Sequence, residues 1–161
     1  TPCEHSFPTR RSSDLFLPPP FPKQLFSLLG KPEAHDEDAI VNHSLKVFHI
    51  IGSPGYVNQV EAIQTIRKLY RRSFYPAGVL QQFLAILCTG SLLALNKNIT
   101  QPTLVVHGSK DRLLPPSHGK AVAKAISGAK FELIQGMGHD IPAHFIPQLS
   151  GLFAHHFRSS H

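Results

Sequence analysis

Thr103-Leu104-Val105-Val106-His107-Gly108-Ser109-Lys110-Asp111 and Lys130-Phe131-Glu132-Leu133-Ile134-Gln135-Gly136-Met137-Gly138-His139 are the stretches that decide how this chain folds. Each opens on a short apolar run and runs through glycine to a side chain that can hold or move a proton. Thr103 to His107 is β-branched and suits a strand buried on both faces, and Phe131 to Ile134 suits a second strand. Between them, Pro115-Pro116-Ser117 opens a helix to about Ser127. Ala121, Val122, Ala125 and Ile126 form its inward stripe, Lys120 and Lys124 face out, and Gly128 closes it. A strand–helix–strand unit with parallel strands has a right-handed crossover. It delivers the loops after both strands to one edge of the sheet, so the Asp111 carboxylate and the His139 imidazole can meet in space.

Downstream, a last helix carries Pro147 in its first turn, where the missing N–H costs nothing. Phe145, Leu149, Leu152, Phe153 and Phe157 are expected along one side of it. Upstream the character is different. Residues 38 to 96 read as amphipathic helices without strands. The first is capped by Asp36 or Asp38, carries Ile40, Leu45, Phe48 and Ile51 near one face, and ends at Gly52. Ser53-Pro54-Gly55 is a turn, with Ser53 as a turn residue. A second helix covers roughly Val57 to Phe74, with Val60, Ile63, Ile66, Leu69 or Tyr70, and Phe74 in period, and Pro76 stops it. A third covers about Ala77 to Cys88, with Leu80, Phe83, Leu84 and Leu87 on one side and Gly90 at its end. Ser91 to Asn96 forms a further turn.

Residues 16–37 are proline-rich and read as an irregular segment or a short helix. Residues 1–15 show no period and change composition abruptly at Phe16. They look like the conceptual translation of a sequencing adapter and are excluded from fold reasoning. The resulting division is 1–15 artefact, 16–37 irregular, 38–98 helical and 99–158 α/β. Two strands cannot cover their own edges or build a stable core. The sequence therefore predicts further strands upstream and a reading frame that begins inside a gene.

Composition narrows the chemistry. The chain has 161 residues, 42% hydrophobic and 16% charged, which suits one globular domain. Its net charge is +6, but Arg67-Lys68 and Arg71-Arg72 read as a solvated helix face, and no basic stripe with interleaved aromatics suggests nucleic acid. Cys3 and Cys88 imply no disulfide framework, and Cys88 reads as a lone buried thiol. No apolar run reaches the roughly 20 residues that span a bilayer. The basic pI assigns no compartment, and the cytoplasm is the working expectation. Eleven histidines invite a metal, yet their spacings match no ligand motif. No metal or cofactor is implied.

A carboxylate beside an imidazole fixes its tautomer and stabilises the imidazolium that forms in proton transfer. Asp111 and His139 are thus two parts of a nucleophile–histidine–acid constellation. Asp140 is the rival acid, but it adjoins His139 in sequence and is poorly placed to orient that ring. Met137 reads as a packing residue and His107 as a strand-end residue. Gly108 lets the chain leave the first strand sharply, and Gly136 and Gly138 permit unusual backbone angles around Met137.

The run Pro102 to Pro115 with its His107-Gly108-Ser109-Lys110-Asp111 core, followed by Gly136-Met137-Gly138-His139, resembles the C-terminal end of an α/β-hydrolase-fold enzyme, with esterase-like details. The resemblance covers roughly residues 30 to 157. It implies a truncated α/β-hydrolase fold in which Asp111 matches the triad acid, His139 the triad base, and the helices of residues 38 to 96 the cap. It implies a serine-type hydrolase acting on an ester or similar small acyl substrate, with no cofactor, no nucleic acid partner and no membrane, and leaves the oligomeric state open. Phe74, Phe83 and Leu84 are the expected pocket walls. The departure is the nucleophile: no G-x-S-x-G elbow occurs, and Gly52-Ser53-Pro54-Gly55 has the wrong spacing and joins two helices. Alone, the chain is expected to hydrolyse nothing. The other readings are a hydrolase of haloalkane-dehalogenase type with a different nucleophile, or a non-catalytic binding module on a hydrolase-like core.

Overall fold

The structure, a computed structural model, describes residues 18, 21–34, 36–89 and 92–159. The adapter-like segment, Cys3 and Gly90 lie outside the described residues. Among those residues the order is α1 (Pro22–Leu29), α2 (Glu37–Ile51), α3 (Gln59–Arg72), α4 (Pro76–Thr89), α5 (Leu93–Asn96), β1 (Leu104–Gly108), α6 (Pro116–Ala125), β2 (Lys130–Ile134), a 3₁₀ turn (Ala143–Phe145) and α7 (Ile146–Ser159). Helices therefore precede a strand–helix–strand–helix unit, as the sequence pattern requires.

β1 and β2 pair in parallel, with Leu104 opposite Lys130, His107 opposite Leu133 and Gly108 opposite Ile134. The pleat sends alternate side chains to opposite faces. On one face His107 and Phe131 lie against Gly119 of α6, where an added Cβ would crowd both rings. On the other face Val106 and Leu152 pack onto a core of Ile134, Met137, Phe145 and Leu149. β1 is not buried on both faces as its composition suggests: Leu104 to His107 are half-buried and Gly108 alone is fully buried. Among the described residues its pairing partner is β2, on one edge, so its outer side chains keep access to solvent.

The helices start and stop for local reasons. Asp36 caps α2 by accepting from the Ala39 amide at 2.8 Å, and Asn58 caps α3 by accepting from Val60 and Glu61. Pro76 does not merely end α3; it opens α4, where proline in the first turn costs little. α2 and α3 meet through Val41, Leu45 and Ile66, with Phe48, Ala62 and Ile63 beside them. Val60 and Leu69, expected on that face, are exposed. Outside the cluster Arg67 bridges Glu37 at 2.8 Å and Asp38 at 2.6 Å.

Some expected stripes are only partly buried. Phe145 and Leu149 are buried, but Phe153 and Phe157 of α7 are exposed. In α6 the buried residues are His118, Gly119 and Ala123, with Ala121, Val122 and Ala125 half-buried. Cys88 is exposed rather than buried. It sits near the end of α4, whose Leu80 and Leu84 are also exposed. No helix among the described residues is long and apolar enough to cross a membrane.

Candidate active site

The loops leaving β1 and β2 are joined backbone to backbone. Ser109 donates to the Ile134 carbonyl and Lys110 to the Met137 carbonyl, both at 2.9 Å. The Gly136 amide donates to Ser109 Oγ at 2.9 Å. Gly108 is required for this approach, because a Cβ there would collide with the Met137 and Gly138 carbonyl oxygens. Gly136 takes a left-handed φ of 83°, which glycine adopts at no steric cost. Gly138 has no positive φ. Its role is close approach: a Cβ would collide with the backbone of Gly52 and Ser53.

On this frame Asp111 and His139 come together. His139 Nδ1 lies 2.8 Å from Asp111 Oδ2. An ionised carboxylate only accepts, so Nδ1 carries the proton and Nε2 is left as the lone-pair nitrogen. The Asp111 side chain is buried, with 6% of its surface exposed, against 22% for His139. A buried carboxylate needs partners. Oδ1 takes two from its own loop, accepting from the Leu113 amide at 3.0 Å and the Leu114 amide at 2.8 Å. Asp111 is therefore both the hinge of a tight turn and the anchor of the His139 ring.

Two features were hidden from sequence reasoning. His107 does end a strand, but its Nε2 sits 3.6 Å from Asp111 Oδ2 and 2.8 Å from the Leu114 carbonyl. The carbonyl can only accept, so His107 Nε2 carries a proton. Asp111 thus lies between two imidazoles. The i, i+4 spacing of His107 and Asp111 across Gly108 was the available signal.

The second feature is Ser53. It does begin a turn, as its carbonyl accepts from the Tyr56 amide, but it is also fully buried. Its amide and hydroxyl both donate to Asp140 Oδ1 at 2.6 Å, and its Oγ accepts from the Gly138 amide at 2.8 Å. Asp140 therefore binds Ser53, and Asp111 holds His139. Ser53 Oγ gives its one proton to Asp140 and is fully buried, so it presents no O–H to a substrate.

Beside this turn lies a cavity of about 320 Å³ lined by His49, Ser53, Pro54, Gly55 and Val57. Of the expected wall residues, Phe74 and Leu84 are exposed and do not line it. The Phe83 side chain lies outside the described residues. Among the described residues no group of three or more His, Cys, Asp or Glu is placed to hold a metal ion.

No protein-family model matches the sequence. Solved structures do resemble the fold. A 2-hydroxy-6-oxo-6-phenylhexa-2,4-dienoate hydrolase from Rhodococcus sp. strain RHA1 is similar over 88% of this chain and 51% of its own, at 13% identity and a TM-score of 0.62. A meta-cleavage product hydrolase from Pseudomonas fluorescens IP01 is similar over 89% of this chain and 53% of its own, at 17% identity and a TM-score of 0.60. A thermophilic esterase from Thermogutta terrifontis is similar over 81% and 53%, at 21% identity and a TM-score of 0.57. The chain spans about half the length of each. At such identities the likeness is one of fold. With its helices, its parallel strand pair and its α6 crossover, this chain has the C-terminal portion of an α/β-hydrolase fold.

Proposed function

We propose that this chain supplies the acid and the base of a serine-type esterase site, and that a serine outside it supplies the nucleophile. The observation that carries this is the 2.8 Å contact between His139 Nδ1 and a buried Asp111 that is itself held by two amides. Such a carboxylate fixes the tautomer with Nε2 unprotonated and stabilises the imidazolium once Nε2 takes a proton. In the cycle, the serine oxygen attacks the acyl carbon as its proton passes to His139 Nε2. His139 then protonates the departing alcohol. Water repeats the sequence on the acyl-serine, releasing the acid, and Asp111 stays ionised throughout. The helices of residues 38 to 98 act as the cap over the acyl group, and the substrate is a small ester or similar acyl compound.

The test is hydrolysis of p-nitrophenyl acetate by this chain and by a longer one that includes the upstream-encoded sequence. The longer chain is expected to contain G-x-S-x-G and to turn over. His139→Ala is expected to lower its kcat by on the order of a millionfold and Asp111→Asn by about ten-thousandfold. The 161-residue chain alone is expected to show no turnover. Turnover by the short chain that vanishes in His139→Ala would overturn the division of labour, and full activity of the longer His139→Ala chain would overturn the site.

A further inference from the structure

His139 and its two sequence neighbours are held, at two backbone amides and one side chain, by a segment far from them in sequence. The Gly138 amide donates to Ser53 Oγ at 2.8 Å, the His139 amide donates to the Ile51 carbonyl at 2.9 Å, and Asp140 Oδ1 accepts from the Ser53 amide and hydroxyl at 2.6 Å. Ser53 has no exposed surface. Gly52 and Gly138 are packed so closely that a Cβ on Gly138 would strike the Gly52 backbone, and one on Gly52 would crowd Asp140 Oδ2. All of these contacts come from the last residue of α2 and the turn that follows it. None comes from β1, β2 or α6.

We propose that Ser53 and Asp140 are positioning residues that set the His139 loop, so that the α2 end fixes where the imidazole stands relative to Asp111. This rests on the esterase reading above and deepens it. The chemistry is specific. One buried hydroxyl both donates and accepts, so it reads the loop on both sides of His139 at once. Removing it takes the partner from the buried Gly138 amide and from one lone pair of the half-buried Asp140 carboxylate, and an unmet hydrogen bond is expensive. The ring is aimed by Asp111, but the backbone that carries the ring is aimed by the helical region. Any movement of the α2 end is thereby transmitted to the base.

The experiment uses the 161-residue chain with isotope-labelled histidine. Two readouts are followed: the hydrogen-bonded His139 ring proton with its Nδ1/Nε2 tautomer ratio, and amide exchange at Gly138 and His139. Ser53→Ala is expected to speed exchange at these two amides by about tenfold and to broaden the ring signal and mix the tautomers. Amides within β1 and β2 should stay protected. Asp140→Ala should act likewise, and Asp140→Asn, which keeps an acceptor at Oδ1, should restore most of the parent behaviour. Tyr56→Ala is the control for mere loosening: it removes ring contacts on His144, at 4.5 Å between centroids, and on Phe145, at 4.9 Å, and packing beside Gly136, but no hydrogen bond to the His139 loop. It should leave both readouts in place. An unmoved ring signal and unmoved exchange in Ser53→Ala overturn the proposal, as does an equal change in Tyr56→Ala. Asp111→Asn separates the two claims. If the parent ring signal ignores it, the esterase reading fails, and the positioning claim is then decided by exchange at Gly138 and His139 alone.

Discussion

The region from β1 to α7 and the region from α2 to α4 hold themselves together by different means. In the first, backbone meets backbone: Ser109 on Ile134, Lys110 on Met137, and Gly108 flush against the carbonyls of Met137 and Gly138. In the second, helices meet through a small apolar cluster and through guanidinium–carboxylate pairs washed by solvent, while Leu80 and Leu84 of α4 stand exposed. Backbone contacts leave little slack, because neither partner can change rotamer. Side-chain contacts can adjust. A proton relay needs positions held to a fraction of an ångström; the loops that carry Asp111 and His139 meet through this stiff kind of contact, and the α2 end and Ser53 add a second hold on the His139 loop. The difference teaches that stiffness in this chain follows the candidate chemistry rather than the size of the apolar clusters.

That contrast can be broken first in the core under the loops. Phe145 is 3% exposed and packs on Ile134, Met137 and Leu149. Phe145→Ala is expected to cost about 4 kcal/mol, through lost burial and the cavity left behind. A loss of unfolding free energy below about 1 kcal/mol in denaturant melts would show that the core is not organised around this ring. Gly108→Ala is expected to cost about 3 kcal/mol, since its new methyl meets backbone that cannot rotate away. It should also shift the His139 ring resonances, which a purely remote destabilisation would leave alone. In the helical region Leu45→Ala, at 8% exposure in the parent, is expected to cost about 2 kcal/mol, at the low end for a core leucine, because so small a cluster can collapse around the gap. If it cost more than Gly108→Ala, the stiff and slack regions would have been assigned the wrong way round.

Sequence reasoning reached the stiff region better than the slack one, for a physical reason. Asp111 and His139 could be paired because parallel strands force the following loops to a common edge, whatever the side chains do. The strand, crossover helix and terminal helix follow from period and from proline and glycine placement, which are local. The failures are all matters of what covers a surface. Leu80 and Leu84 have a helical period that looks like a buried stripe, and Cys88 lies in the same run, yet they are exposed. Period tells which residues share a face, not whether anything lies on it. Phe153 and Phe157 misled in the same way. Ser53 misled in the opposite direction: Ser-Pro-Gly reads as a surface turn, and no local signal tells that Asp140, 87 positions away, buries it. His107 was legible in hindsight through its spacing from Asp111, but as a strand residue it would ordinarily point away from the following loop.

The slack region can be sharpened by pH. Glu37 accepts from Arg71 and Arg67, and these hydrogen bonds, Arg71 first, hold its carboxyl below its ordinary value of 4.5. Between that ordinary value and the lower folded one, the unfolded chain binds more protons than the folded chain. Stability therefore rises with pH across this window. The Glu37 contribution is fully present above the ordinary carboxylate range and is lost as pH falls through the folded value. Thermal melts between neutral and strongly acidic pH should show a shallower acid decline in Glu37→Gln than in the parent. About 1 M salt should shrink the difference, since exposed pairs are screened. A decline unchanged by the substitution would mean that the Glu37 pairs do not join α2 to α3 in solution.

The smallest effect is expected at α4. Leu80 is 57% exposed, so Leu80→Ala removes little buried area, and alanine has the higher helix propensity. The two terms nearly cancel, and the change in stability should lie within about 0.5 kcal/mol of zero. Repeating the melt over a wide range of protein concentration gives the measurement its force. A cost of about 2 kcal/mol that grows with concentration would mean that this face is buried against another molecule in solution. A cost of that size without concentration dependence would mean that α4 packs against the rest of the chain. Either result would move the border between slack and stiff from α5 to the start of α4.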